Sequence, residues 1–220
     1  KKLVKIPDIQ SVTAVTKTSG FVEKDDKKAL WNEECKAVTP YMYDWISAVE
    51  GSEKIIRIVT NNKYGLIDTK GHTVLPANYS AISDFTNGRA LVKKGWDAVM
   101  FIDETGKQVI PLTQYSQADE FSEGLAVVVN KNNKYGFIDV NGNTVLPLIY
   151  EDARSFSHGI TIVKYEGMFG LIDKKGHFIV PAESSAYSMS GSDKRIYYLN
   201  GLKYDEYGNV VEKTHEIEEE

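Results

Sequence analysis

Prolines, cysteines and long apolar runs are all scarce in this chain of 220 residues, and each scarcity excludes something. The single cysteine, Cys35, leaves no internal disulfide and no zinc site built from several thiolates. Apolar runs such as 125–129 reach only five or six residues, whereas a membrane-crossing helix needs roughly 20. No transmembrane segment is expected. Lys and Arg number 26 against 31 Asp and Glu, a formal charge of −5. Binding nucleic acid generally takes a basic stripe that displaces counterions from phosphates, so nucleic acid is not an expected partner. The chain starts at Lys1 rather than Met, as expected of a processed or trimmed polypeptide from which a signal peptide would leave no trace.

The six prolines, Pro7, Pro40, Pro76, Pro111, Pro147 and Pro181, are separated by 33, 36, 35, 36 and 34 residues. Asp68, Asp103, Asp139, Asp173 and Asp205 keep nearly the same period, and each is followed three residues later by glycine, at Gly71, Gly106, Gly142, Gly176 and Gly208. A fixed period of this length is the mark of an array of small modules that bury their faces against one another. The clearest copy runs from Lys134 through Tyr135-Gly136-Phe137-Ile138-Asp139 to Val145-Leu146-Pro147. Close copies begin at Lys63 and Phe169; the copies at 98–111 and 27–40 are more eroded, the latter with Asn32 and Cys35 at the turn.

Asp at the first and Gly at the fourth position of a tight turn closes a β-hairpin. One arm is then Tyr135 to Ile138 and the other Thr144 to Leu146, with Pro147 expected to end it because proline has no ladder donor. The stretch 125–129 supplies a third strand, and a weak pattern at 150–153 a possible fourth. Neighbouring strand positions point to opposite faces, so the adjacent apolar pairs Leu66-Ile67, Phe137-Ile138 and Ile179-Val180 require both faces of a sheet to be covered. The expected fold is all-β: about six three- to four-stranded antiparallel repeat units, β-propeller-like, with an open β-hairpin solenoid as the alternative. One domain over 1–211 divides into a half unit 1–26, units 27–61, 62–97, 98–133, 134–167 and 168–199, and a half unit 200–211. Residues 212–220 form an acidic tail expected to be disordered.

These residues resemble the WG, or KWG, β-repeat family of bacterial proteins, whose unit reads Lys-Trp-Gly-apolar-Ile-Asp, two variable residues, Gly, then Val-Ile-Pro. The resemblance covers about 27–211. Tyr64, Tyr135 and Phe169 stand where the family has tryptophan, and Phe121-Ser122-Glu123-Gly124-Leu125-Ala126 matches its Phe-Ser-Glu-Gly-Leu-Ala step. The resemblance implies a bacterial protein, exported or surface-associated, with no catalytic activity of the repeat; the cytoplasm stays open as a second address.

A residue present in every copy is explained first by folding, so Asp68, Gly71, Asp103, Gly106, Asp139, Gly142, Asp173 and Gly176 are read as structural turns. Their spacing is not that of a calcium loop. His72 and His177 follow the turn glycine at equivalent places, and His158 and His215 have no companions at ligand spacing. No phosphate loop, nucleophile elbow or metalloprotease helix is present. No metal, cofactor or enzymatic activity is expected. Recognition residues are sought where copies differ. Trp45 stands where other copies carry Ala81 or Asp152, Trp96 replaces an Asn-rich turn, and Tyr197-Tyr198 lie in the degenerate last copy. Exposed aromatics of this kind serve as protein hot spots or sugar-stacking platforms. The expected function is a non-catalytic module presenting a surface to a protein partner, with a glycan or the cell wall as the alternative ligand.

Overall fold

A computed structural model describes residues 10–95, 97–191 and 194–213. The polypeptide forms two compact units, Lys1–Pro111 and Leu112–Glu220. In the first, β1 (Ser11–Ala14), β2 (Ser19–Lys24) and β3 (Lys27–Asn32) make a three-stranded sheet. Two four-stranded sheets follow: β4 (Trp45–Val49), β5 (Ser52–Thr60), β6 (Lys63–Asp68) and β7 (Thr73–Tyr79), then β8 (Ala81–Ile82), β9 (Ala90–Lys94), β10 (Asp97–Ile102) and β11 (Gln108–Pro111). The second unit contains β12 (Tyr115–Ala118), β13 (Leu125–Asn130), β14 (Tyr135–Asp139) and β15 (Thr144–Tyr150), and next to it β16 (Asp152–Ala153), β17 (Ile160–Tyr165), β18 (Met168–Asp173) and β19 (Phe178–Ser184). Its third sheet is β20 (Tyr187–Ser190), β21 (Ile196–Leu199), β22 (Leu202–Tyr204) and β23 (Val210–Lys213). Every sheet is an antiparallel meander in chain order, the pattern of a propeller blade. Among the described residues no helix forms, and none is long and apolar enough to cross a membrane.

The apolar pairs explain how the sheets stack. Leu66 belongs to one core with Leu75, Phe85 and Met100, while its neighbour Ile67 belongs to another with Phe21, Leu30 and Ile56. Likewise Ile172 packs with Phe137 and Phe156, and Leu171 with Val180 and Tyr197. The inner strand β13 is buried along 125–129. Burying a side chain such as Phe137 contributes about 1.5–3 kcal/mol relative to leaving it in water.

The sheets cut across the sequence units, because periodicity sets the length of a repeat and not where pairing starts. The short strand expected near 150–153 is β16, which opens the next sheet. Two sequence expectations are corrected. Pro147 does not end its strand: β15 runs on to Tyr150, because it is the outer strand of its sheet and needs no donor on its free side. Glu212 and Lys213 are not tail but pair with Lys203 and Leu202 in β23; residues 214–220 lie outside the described residues.

On β14 the two steps from Tyr135 to Phe137 face the four steps from Tyr150 to Leu146 on β15, a bulge that contains Pro147. The bulge brings the outer strand over Gly136, where a Cβ atom would lie 2.8 Å from the Leu146 carbonyl oxygen. Close approach therefore dictates the glycine that follows each aromatic.

Candidate functional site

The turn aspartates act within their own hairpins. The Asp139 carboxylate accepts hydrogen bonds from the backbone N–H groups of Asn141 and Asn143, both at 2.9 Å, and Gly142 N–H donates to the Asp139 carbonyl at 2.9 Å. The Asn143 side-chain amide first, then these N–H groups, hold the Asp139 carboxyl below its ordinary range against the opposing effect of burial. Asp68 and Asp173 bind the Nδ1 atoms of His72 and His177 at 2.9 and 3.1 Å, which ties both histidines to the same turns. Gly71, Gly106, Gly142 and Gly176 have φ between +78° and +88°. At Gly106 a Cβ atom would also lie 2.4 Å from the Val74 carbonyl oxygen of the preceding sheet. Among the described residues no three His, Cys, Asp or Glu side chains converge as metal ligands.

The Glu of the Phe-Ser-Glu-Gly step joins sheets, a role that sequence reading missed. Glu123, at φ +52°, accepts hydrogen bonds from the N–H groups of His158 and Gly159, the same turn one repeat later, and from Lys174 Nζ at 3.0 Å. Partial burial pushes its pKa up, but Lys174 and the two N–H groups outweigh it and hold the carboxyl below its ordinary range. The spacing of 35 residues between Glu123 and His158 was the available signal.

Trp45 opens β4 and is 55% exposed. Its ring lies 6.4 Å from that of Phe21, and Lys28 Nζ sits 5.2 Å from the Trp45 ring centroid and 5.7 Å from that of Phe21. Lys28, only 6% exposed, occupies the position that Tyr64 and Tyr135 hold in later repeats. Its ammonium donates to the Asp44 carbonyl at 3.2 Å and to Glu23 Oε1 at 3.3 Å. A salt bridge from Lys27 to Asp44 flanks the indole, and the Lys27 ammonium, then the Asn61 N–H, keep the Asp44 carboxyl below its ordinary range. Trp45 is thus held by a cation and a second ring while more than half of it stays exposed.

The other aromatic candidates separate. Tyr197 is 1% exposed, packed with Leu199, Tyr204 and Leu171, and burial pushes its hydroxyl pKa up against the influence of Arg195; it offers no recognition surface. Tyr198, its neighbour on the opposite face of β21, is half-buried and lines a cleft at the end of β19. Trp96 lies outside the described residues. Trp45 and Tyr198 belong to different units. Tyr43 and Tyr150, three residues after their prolines, are packing residues at 7% and 4% exposure.

The profile described as "WG containing repeat" matches residues 64–95, 100–135 and 135–168. Residues 64–168 are WG repeats. The sheets on either side keep the WG pattern more loosely, with Lys28 in place of the aromatic at one end and no proline in β23 at the other. No curated protein matches the chain. Among solved structures, the chain is similar to the computationally designed Ika8 protein, with a TM-score of 0.43, 13% identity, and 92% of this chain and 73% of that one covered. It is also similar to Hsv2p of Kluyveromyces lactis (TM-score 0.45, 12% identity, 90% and 74% covered) and to BamB of Moraxella catarrhalis (TM-score 0.42, 11% identity, 93% and 72% covered).

Proposed function

We propose that this chain is a non-catalytic WG-repeat module that presents a protein-binding surface, at the envelope of a bacterial cell or outside it. The observation that carries the reading is Trp45. It interrupts the repeat's own rule and stays 55% exposed, while Lys28 and Phe21 hold the ring in place. An aromatic whose orientation is fixed beforehand loses little freedom on docking, which is the character of an interface hot spot. The Lys27–Asp44 pair beside it supplies a charged rim of the kind that sets register without much affinity. The lysine beneath the ring makes its open side a poor seat for a second cation, which favours a neutral or acidic partner segment over a quaternary ammonium ligand. The envelope location rests on the family resemblance.

Affinity capture with the native chain and with Trp45→Ala, from envelope and cytoplasmic fractions in parallel, tests this reading. The expected result is one defined protein recovered from the envelope fraction by the native chain and lost with the variant, whose circular dichroism is unchanged. Equal recovery by both chains, or retention of wall polymer alone, overturns it.

A further inference from the structure

At the end of β19 a serine, Ser184, stands where the repeats containing Pro76 and Pro147 carry Tyr79 and Tyr150. In two of the WG repeats the aromatic before the glycine faces a second tyrosine on the outer strand: Tyr64 pairs with Tyr79 and Tyr135 with Tyr150, whereas Phe169 pairs with Ser184. Ser184 is 3% exposed, and both its capacities are used: Oγ donates to the Ala186 carbonyl and accepts from Asn200 N–H at 3.1 Å. Tyr187 comes from the following strand to cover Phe169 instead, with ring centroids 4.7 Å apart, and its hydroxyl accepts from Arg154 Nε at 3.2 Å.

Beside this substitution lies a cleft of about 460 Å³ lined by Ser184, Ser185, Tyr187, Ser188, Tyr198 and Asn200. The cleft is shallow and open to solvent. Among the described residues no charged side chain lines it, in a chain of which 26% is charged. What it offers is hydroxyl and amide groups that both donate and accept, beside tyrosine rings, one of them held in place by Arg154. The nearest named charge is the Arg154 guanidinium, which is engaged by the Tyr187 hydroxyl and by Asp152. A ring with C–H groups on its faces and hydroxyls around its rim matches both features. We propose that this cleft binds a neutral saccharide, at a site separate from Trp45 and independent of the protein-binding reading.

The test is NMR titration of the full chain with maltotriose, cellotriose and N,N′-diacetylchitobiose, with galacturonic acid as a charged control. A shallow site of this size is expected to give saturable shifts of the Tyr187 and Tyr198 ring signals at about 1 mM of at least one neutral sugar. Tyr198→Ala weakens that binding by about tenfold or more, equivalent to losing one good contact. Ser188→Trp, at an exposed position that can take a larger side chain, blocks it, and Trp45→Ala leaves it unchanged. No saturable shift with any neutral sugar, or shifts that survive both Tyr198→Ala and Ser188→Trp, overturns the site. Equal binding of galacturonic acid overturns the neutral-ligand assignment. Loss of sugar binding in Trp45→Ala alone moves the saccharide to the other unit and likewise refutes the cleft.

Discussion

The Lys28 ammonium lies 5.2 Å from the centre of the Trp45 ring and also hydrogen-bonds the carbonyl of Asp44, the residue just before that tryptophan. One buried lysine therefore fixes both the ring and the backbone that presents it. Cation–π contacts of this kind contribute about 0.5–2 kcal/mol, and removing the lysine also strips Glu23 of its ammonium partner. Lys28→Ala is expected to lower stability by about 1–2 kcal/mol. In a background with Trp31 and Trp96 replaced by Phe, it should also raise acrylamide quenching of Trp45. Unchanged quenching would show that Phe21 alone positions the indole.

Two glycines with left-handed backbones separate strain from crowding. Gly106 has φ +78° and no room, since a Cβ there would meet the Val74 oxygen at 2.4 Å, while Gly124 has φ +87° and nothing within 4 Å. Gly124→Ala should cost only the conformational penalty of about 1–2 kcal/mol. Gly106→Ala should cost clearly more, because the neighbouring sheet must move. Urea midpoints at constant slope make the comparison, and equal losses would mean that the sheets are not held at this spacing.

Acid should weaken the hairpins. The folded pKa of Asp139 is depressed, so the carboxylate contributes stability that is fully present above its ordinary value of about 4 and is lost as the pH falls through the lower folded value. Asn32 shows that a neutral amide can make the same turn: its Oδ1 accepts from Glu34 and Lys36 N–H at 3.1 and 3.0 Å. Asp139→Asn is therefore expected to stay folded at pH 7 and to lose less stability than the native chain between about pH 5 and pH 2. Parallel pH curves for the two would refute the linkage.

Glu123 reaches two backbone N–H groups of the next repeat. Glu123→Gln keeps the size and one acceptor but drops the charge that Lys174 pairs with. Amide exchange at His158 and Gly159 should accelerate about tenfold, as expected for a weakened charge-assisted bond worth about 1.4 kcal/mol, while exchange at inner-strand residues such as Val127 stays slow. Uniform acceleration along the chain would instead point to global destabilisation.

Much of this molecule was legible one residue at a time. The six prolines and the Asp-x-x-Gly turns mark the period because hairpin chemistry is local: a carboxylate bonds N–H groups two and four residues on, and a positive φ selects glycine. The apolar pairs showed that sheets would stack on both faces, since side-chain direction alternates along any strand. Neighbours that look alike in sequence nevertheless part company in space. Tyr197 enters a core while Tyr198 lines a cleft, and Pro147 sits within a strand that it was expected to close.

Period, turn chemistry and the all-β character were written in the order of residues, because each depends on groups within a few positions of one another. Which aromatic reaches solvent, where a cleft opens beside Ser184, and how Glu123 grips the following repeat were decided only by packing. Those outcomes depend on what stands across a strand or a sheet, from about fifteen to fifty residues away along the chain, and no local pattern encodes which neighbour arrives there.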